Sequence, residues 1–390
     1  MLSVPLVASS LEATGGSHPW TTPYPSLPKS YNVVTFMEDQ DDLVNGNPAG
    51  RAMKEDRPTI RDVATRAGMS TLTVSRVIND HPSIKQSTRE RVERAIRELN
   101  YEPNAAAQHV RRGSSRTIGF LMPDFAHGVS ALVAQNVERV LSKRGYTVML
   151  ACSHFDPATE EAALRVFARN RIEAVLLKTC DESAPEIIAR VEAMHCPVVL
   201  VDRDLPLDVD AIVSNHAEAM RQAVRYLVTL GHRDIALVAP SPKMRPGRER
   251  IRGFKEGLKE AALEANDPRI FDGGQSDESA RQVVLDLLRS PNRPTALIAG
   301  GNQILYGALE AIKACGLRYP EDISLLGADH PKLASVSSPT ITMIDRQPAL
   351  LAEGAANRLL ELLEGQSPQF AQRKELPSIF IEGESCMPRP

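Results

Sequence analysis

Residues 59–107 read TIRDVATRAGMSTLTVSRVINDHPSIKQSTRERVERAIRELNYEPNAAA, and this stretch contains the start and stop signals of short helices. Thr59, with Asp62 three residues later, predicts a capping box at the start of a first helix. Gly68 predicts its end, because glycine adopts the left-handed conformation that closes many helices. Ser70 then predicts the N-cap of a second helix. Two helices separated by so short a turn are typical of a helix-turn-helix unit.

The apolar positions of this segment repeat with a helical period. In the second helix Val74, Val77 and Ile78 follow the i, i+3, i+4 rule, so one face is predicted to be buried and the other exposed. Ser87 with Glu90 predicts a capping box for a third helix. That helix has apolar residues at i, i+3, i+4 and i+7, namely Val92, Ala95, Ile96 and Leu99. The segment therefore predicts a small three-helix domain.

The charge of the chain is unevenly distributed. The net charge is −3, but residues 57–116 contain twelve Lys and Arg against six Asp and Glu, which leaves −9 for the rest. A locally basic segment is the electrostatic pattern of a nucleic-acid-binding module, because phosphate contacts need cations at the interface and not over the whole protein.

The bulk composition indicates a globular protein of more than one domain. The 390 residues exceed the size of one ordinary core, and 42% hydrophobic with 24% charged residues is typical of soluble chains. No apolar run is long enough to span a membrane. The five cysteines form no C-x-x-C pair, so neither a disulfide framework nor a zinc site is predicted. We expect a cytoplasmic protein without metal or other cofactor.

Residues 1–55 are rich in Pro, Ser, Thr, Gly and acidic residues and have no sustained period, so we expect a disordered extension. The opening MLSVPLVASS lacks the basic start of a signal peptide, and export is not expected. Met53 directly precedes the first patterned segment and is a possible alternative start.

After residue 117 short apolar runs alternate with amphipathic stretches of about a dozen residues. Apolar strands joined by crossover helices predict an α/β fold with parallel sheets covered on both faces. The number of runs fits two such sheets, with a ligand cleft at the strand ends. The predicted strands are TIGFLM, YTVMLA, AVLLKT, PVVLVD, AIVSN, IALVA, ALIA and SLLGA.

The 59–107 segment resembles the headpiece of the lactose-repressor/galactose-repressor family of bacterial regulators. It is similar to the family's D-V-A-x-x-A-G-V-S-x-x-T-V-S-R-V-x-N core and T-R-x-R-V-x-x-A-I-x-x-L-x-Y-x-P-N continuation, with Met69 for the usual valine. The resemblance extends to the C-terminus through RTIGFLMPD, LVTLGHRDIALVAP, RERIRGFKEGL and GLRYPEDISLLGAD. It implies a two-lobed, periplasmic-binding-protein-like sensor behind the headpiece.

The resemblance also implies domain boundaries. The headpiece is expected at 57–104, a hinge at 105–115 and the sensor at 117–390. Within the sensor, one lobe is expected at about 117–214 and 345–372, and the other at about 215–344 and 373–390.

The implied DNA contacts lie in the headpiece and the hinge. Thr71, Leu72 and Arg76 stand where the family reads base edges, and Leu72 can contact only a thymine methyl, which leaves Arg76 as the main donor. Valine at position 110 stands where the family inserts a leucine into the minor groove, and the shorter, β-branched side chain predicts either a milder kink or a partial loss of the insertion. The full predicted DNA-binding set is Thr59, Ser70, Thr71, Leu72, Thr73, Ser75, Arg76, Asn79, Asn104, Gln108, Val110 and Arg111.

The implied effector site lies between the lobes. The resemblance implies that Asp202 and Asp329, which follow predicted strands, meet Arg250 of the R-E-R-x-x-G-F segment there. Two carboxylates and a guanidinium suit the hydroxyls of a sugar or the carboxylate of a sugar acid. The chain departs from the family at 127–130, where His-Gly-Val-Ser replaces N-P-F-F, and at 300–302, where Gly-Gly-Asn replaces A-N-D. The predicted effector-binding set is His127, Asp202, Arg250, Asn302, Gln303 and Asp329.

These features predict a DNA-binding transcription regulator, a repressor, that binds a palindromic operator as a homodimer and responds to a small polar effector. Two alternatives use the same type of core. A solute-binding receptor would need an export signal and no headpiece. A sugar-metabolising enzyme would need a catalytic constellation, and the sequence has no P-loop, G-x-S-x-G or H-E-x-x-H motif.

Overall fold

The chain divides into two units, Met1–Glu102 and Pro103–Pro390. In the computed structural model the described residues are 58–79, 81–101, 114–125, 128–263, 269–274, 276–329, 331–366 and 370–389. The predicted extension 1–55 and hinge residues 105–113 therefore lie outside the described residues.

The described part of the first unit contains three helices, α1 (Ile60–Ala67), α2 (Thr71–Ile78) and α3 (Gln86–Glu98). The predicted capping box of α1 is present, because the Thr59 side chain accepts from the Asp62 amide while Asp62 accepts from the Thr59 amide at 2.7 Å. These bonds satisfy N–H groups that have no partner inside the helix. The predicted helix-turn-helix arrangement is thus formed by local hydrogen bonds.

Gly68 ends α1 in the left-handed conformation, with φ of 63°. The Arg91 guanidinium of α3 donates to the Ala67 carbonyl at 2.9 Å, so the third helix closes the C-terminal end of the first. A side chain at position 68 would therefore meet both an unfavourable backbone angle and the Arg91 guanidinium, 3.2 Å from the added carbon.

The predicted start of α3 was wrong. The helix begins at Gln86 after Lys85, and Ser87 lies inside the helix instead of capping it. Glu90 accepts a bond from the Gln86 side chain at 3.1 Å, one turn earlier. The first turn is therefore stabilised by the i, i+4 hydrogen bond between Gln86 and Glu90 and not by the predicted capping box.

The three helices share one small apolar core. Its buried members lie on the inward faces that the sequence period predicts, and Val63, Val74 and Val92 are fully buried. The remaining buried residues of this core are Ala64, Ala67, Val77 and Ala95. The outward faces of the helices are therefore available to a partner.

The second unit has two sheets. The described residues of the first sheet form six parallel strands in the order β2-β1-β3-β4-β5-β11. Those of the second form six strands in the order β7-β6-β8-β9-β10-β12, in which only β12 is antiparallel. The strands are β1 (Thr117–Met122), β2 (Thr147–Cys152), β3 (Ala174–Leu177), β4 (Val198–Val201), β5 (Asp210–Ser214), β6 (Ile235–Ala239), β7 (Ile270–Asp272), β8 (Ala296–Ala299), β9 (Ser324–Ala328), β10 (Thr342–Asp345), β11 (Arg373–Leu376) and β12 (Ile379–Ile381).

Helices cover both faces of each sheet. The central strands β3, β4 and β8 are buried along their whole length, as expected for parallel strands enclosed by crossover helices. The helices are α4 (Gly128–Ser142), α5 (Pro157–Arg169), α6 (Pro185–Glu192), α7 (His216–Thr229), α8 (Arg245–Glu260), α9 (Asp277–Arg289), α10 (Asn302–Ala314), α11 (Pro331–Val336) and α12 (Pro348–Leu363).

The α/β class with two parallel sheets agrees with the prediction, but one boundary was wrong. Residues 373–376 were expected in the second lobe, whereas β11 pairs in parallel with β5 of the first sheet. The chain returns along α12 to the first sheet, completes it with β11, and enters the second sheet only at β12. The edge strand β11 has the sequence RKEL, which lacks the apolar run on which strand prediction relies.

The strand orders place a topological switch between β1 and β3 in the first sheet and between β6 and β8 in the second. In open parallel sheets, ligands bind at the carboxyl ends of the strands beside such a switch.

Among the described residues, no helix has the length and apolarity needed to cross a membrane, and no His, Cys, Asp or Glu cluster has the makeup of a metal site.

Candidate functional site

The second helix of the headpiece, α2, has one buried apolar face and one exposed, mostly polar face. Val74 and Val77 are buried, whereas Leu72 is 61% exposed and Arg76 is exposed as well. The Arg76 guanidinium makes no hydrogen bond or ion pair with another described residue, and Leu72 lies near it on the exposed face of the same helix.

The N-terminal end of α2 is closed by Ser70. Its hydroxyl accepts from the Thr73 amide at 3.2 Å and lies 2.9 Å from the Thr73 hydroxyl. At the other end the Asn79 side chain donates to the Ser75 carbonyl at 2.7 Å. Thr71 is exposed in the first turn. The predicted residues of α2 therefore lie on one helix, with those at its two ends held by local hydrogen bonds.

The remaining predicted DNA contacts, Thr59 and the hinge residues, do not belong to α2. Thr59 caps α1 through its bonds with Asp62. The hinge residues Asn104, Gln108, Val110 and Arg111 lie outside the described residues.

A cavity of about 110 Å³ lies in the second unit between strand ends of the two sheets. Its walls follow β1, β3 and β4 on one side and β6, β8 and β9 on the other, so both topological switches face it. The lining residues are Pro123, Asp124, Val129, Ser130, Phe155, Lys178, Arg203, Pro240, Met244, Pro246, Arg250, Gly274, Gly301, Asn302, Gln303, Ile304, Asp329 and Arg346.

Arg250 and Asp329 form a buried ion pair in the wall. Nη2 of Arg250 donates to both carboxylate oxygens of Asp329, at 2.8 and 2.9 Å, and Nη1 donates to the Gly300 carbonyl at 2.5 Å. Both side chains are nearly inaccessible, with Arg250 at 3% and Asp329 at 6% exposure. The pair is fixed before any ligand arrives, which preorganises this wall.

Asp202 lies behind the cavity wall and does not line it. Its carboxylate accepts from Arg346 at 2.7 Å, contacts the His216 ring at 3.0 Å and accepts from the Ser214 amide at 3.0 Å. Arg346 also lies 3.3 Å from Asp329. Arg346 thus joins the carboxylates of the two sheets, and Asp202 positions Arg346 instead of pointing into the cavity as the sequence led us to expect.

Both buried carboxylates are held ionised. Burial opposes ionisation of Asp202, but His216 and Arg346 outweigh it and hold the pKa well below its usual range. Burial likewise opposes ionisation of Asp329, and Arg250 with Arg346 lowers its pKa nonetheless. Burial lowers the pKa of His216, so the ring is neutral near pH 7.

Asn302 is the most unusual polar group in the cavity. It is 4% exposed, and neither its amide nitrogen nor its amide oxygen has a hydrogen-bond partner among the described residues. Buried amides are nearly always paired, so an unpaired one in a cavity wall indicates a place where a ligand supplies the partner. Gln303 lines the cavity beside it, whereas His127 lies outside the described residues.

Comparison with protein-family models gives two matches. Residues 59–104 match the model described as bacterial regulatory proteins, lacI family, and residues 224–386 match the periplasmic binding protein-like domain. The chain is 33% identical over 330 residues to the HTH-type transcriptional repressor PurR of Klebsiella pneumoniae (strain 342), covering 82% of this chain and 96% of the relative. The chain belongs to the lacI family of bacterial regulators.

Further comparisons agree with this membership. PurR of Escherichia coli O139:H28 is 33% identical over 305 residues, covering 78% of this lacI-family chain and 89% of the relative. The lac repressor dimer bound to operator and the anti-inducer ONPF matches with a TM-score of 0.75 and 28% identity, over 85% of this chain and 99% of that one. The CelR–cellobiose complex matches with a TM-score of 0.65 and 28% identity, over 84% and 100%.

Asp124 and three cationic residues of the cavity were missed by the sequence analysis of this lacI-family chain. Lys178 and Arg346 directly follow β3 and β10, and Arg203 lies two residues after β4. The sequence could have indicated them. A charged residue that follows an apolar parallel strand lies at the carboxyl end of that strand, where ligands bind, and is therefore a candidate site residue. We applied that rule to Asp202 and Asp329 but not to their cationic neighbours.

Proposed function

We propose that this protein is a sequence-specific DNA-binding transcriptional repressor that binds a palindromic operator as a homodimer and is controlled by a small polar effector. The observation that carries the proposal is α2, a helix of a lacI-family headpiece whose outward face carries the exposed arginine Arg76. The PurR relatives are named as repressors, and the lac repressor comparison structure is a dimer bound to operator.

In this proposal the N-terminal half of α2 enters the major groove. Arg76 donates two hydrogen bonds to a guanine, and Leu72 contacts a thymine methyl. Thr71, Thr73 and Ser75 contact neighbouring base edges or the backbone, and the hinge residues Asn104, Gln108, Val110 and Arg111 contact the minor groove. Because one headpiece reads one half-site, two-fold symmetric DNA needs two copies of the chain.

The effector binds in the cavity of the second unit. Arg250 and Asp329 offer a donor fork and acceptor oxygens to hydroxyl groups, and the unpaired Asn302 amide with Gln303 adds a donor and an acceptor. These groups suit a sugar or a sugar acid. Asp202 acts through Arg346. We propose binding without turnover, because the buried carboxylates are neutralised by arginines and are poor general acids or bases.

An effector in this cavity contacts both sheets at once. Its binding energy therefore favours one relative position of the two lobes, which is the differential interaction that regulation requires. Since the partner is operator DNA, we place the protein in the cytoplasm.

The test is selection of genomic fragments by the purified full-length chain, followed by fluorescence anisotropy on the enriched sequence. We expect an inverted repeat, two chains bound per site, and at least 1000-fold tighter binding than to random DNA at the same salt concentration. Equal affinity for enriched and random DNA would contradict the proposal. Binding of sugars with no DNA binding would support a solute receptor instead.

A further inference from the structure

The charges that line the effector cavity do not balance. Lys178, Arg203, Arg250 and Arg346 are cationic, whereas only Asp124 and Asp329 among the lining residues are anionic. Asp329 is already engaged by Arg250 at 2.8 Å and by Arg346 at 3.3 Å. Each wall thus has two cations and one carboxylate, and the lining as a whole is positive. On the second-sheet wall both cations contact Asp329, whereas Lys178 and Arg203 on the first-sheet wall form no ion pair with another described residue.

Lys178 carries one of these charges. The residue is 8% exposed, follows the buried strand β3, and its ammonium has no recorded hydrogen bond or ion pair with a described residue. Burial, together with repulsion from Arg346 and Arg203, lowers its pKa well below the usual value. The amino group lies in the cavity wall, where a bound anion would favour its charged form and pair with it.

Arg203 is the second cationic residue of the first-sheet wall. It is 4% exposed, and its guanidinium donates to the carbonyls of Thr179 at 2.6 Å and Asp202 at 2.8 Å, with Met244 Sδ at 3.3 Å from Nη2. These acceptors are uncharged, and no carboxylate of the described residues lies within ion-pair distance of the guanidinium. The bonds fix its orientation without cancelling its charge.

Helix starts add to the positive potential. The first turn of α4 contributes Val129 and Ser130 to the cavity, and α10 begins there with Asn302. The N-cap of α10, Gly301, has no side chain to accept from the free amides of the first turn. The positive ends of two helix dipoles therefore add to the two side-chain cations.

We propose that Lys178 and Arg203 form an anion subsite, and that the effector is a small hydroxylated molecule with one carboxylate or phosphate group. The anionic group binds on the first-sheet wall, while its hydroxyls face Arg250, Asn302 and Asp329 on the second. This inference rests on the proposed function, since it specifies the effector of that same cavity.

The first test uses inorganic phosphate on the full-length chain, with sodium chloride at matched ionic strength as the reference. At a tenfold excess over the dissociation constant, phosphate should raise the melting temperature of the wild type by about 3 to 5 °C. Lys178→Met should weaken phosphate binding at least tenfold. The matched control, Lys143→Met, removes an exposed lysine in the turn after α4 and should leave the shift unchanged.

The second test distinguishes the two sources of the anion. D-gluconate is paired with sorbitol, and glucose 6-phosphate with glucose, so that each pair differs only in the charged group. Tighter binding of gluconate supports a sugar acid, tighter binding of glucose 6-phosphate supports a sugar phosphate, and Lys178→Met should abolish the preference in either pair.

Three results would overturn the subsite: no phosphate response in the wild type, the same response in Lys178→Met, or binding of sorbitol and glucose as tight as that of their charged counterparts. Arg203→Met provides a second variant if Lys178→Met does not fold. Operator binding separates the two proposals. A chain that binds its operator but ignores anions refutes the subsite alone, whereas loss of sequence-specific binding refutes the function.

Discussion

Replacing Arg250 by alanine should destabilise the second unit strongly, because the arginine is one half of a buried ion pair. The substitution removes two bonds to Asp329, at 2.8 and 2.9 Å, and the bond to the Gly300 carbonyl. Breaking a buried pair from one side costs about 3 to 5 kcal/mol, since it leaves a charge without its partner. Arg346 remains 3.3 Å from Asp329, so we expect the lower end, about 3 kcal/mol.

This loss corresponds to a fall in melting temperature of about 6 to 12 °C, measured by circular dichroism on the full chain. Arg252→Ala is the matched control, because Arg252 lies on the same helix and pairs with Glu249 and Glu256 but is 53% exposed. Its loss should cost less than about 1 kcal/mol. Adding Asp329→Asn to Arg250→Ala should recover part of the stability. A loss below about 1 kcal/mol in Arg250→Ala, or one equal to the control, would refute the buried pair.

Three further outcomes are expected. Arg76→Ala should remove about 1 to 3 kcal/mol of discrimination between operator and random DNA without changing the melting temperature, whereas equal weakening on both DNAs would exclude base reading by this side chain. Because burial lowers the pKa of His216, the unfolded chain binds a proton that the folded chain does not, so stability should be full above about pH 6.5 and decline below it. His216→Gln should flatten that part of the urea-denaturation profile, and an unchanged slope would contradict the assignment. Gly68→Ala should destabilise the headpiece by about 1 kcal/mol through the left-handed backbone angle, which thermal melting would detect, and no loss would show that the turn relaxes.

Much of the fold could be predicted from local sequence signals. The capping box at Thr59, the glycine stop at Gly68 and the serine cap at Ser70 depend on residues within a few positions of one another, and all three are present in the structure. The eight predicted strands were those with continuous apolar runs. Four strands were not predicted. Strands β7, β11 and β12 are short and lie at sheet edges, where burial does not impose an apolar run, and β10 is a four-residue strand that is buried apart from its last residue.

The candidate site was predictable in part. The rule that side chains at the carboxyl ends of parallel strands meet at one edge supported the site that the family resemblance implied, and the structure places Arg250, Asn302, Gln303 and Asp329 in one cavity wall. The same rule misplaced Asp202, because sequence position does not reveal which way a side chain turns. Only the fold brings Arg346 from the end of β10 to Asp202, 144 positions earlier, and this contact removes the carboxylate from the cavity.

The sequence by itself determined the helix-turn-helix headpiece, the alternation of strands and helices, and the family, because each depends on short-range spacing. Only the tertiary structure decided which charges are paired. Ion pairs such as Arg250–Asp329 and Arg346–Asp202 join residues far apart in the chain, and a charge can be recognised as unpaired only when every neighbour is known. Lys178 and Arg203 therefore emerged as candidate ligand groups only in three dimensions, since a buried cation's environment is set by the packing of several strands around it.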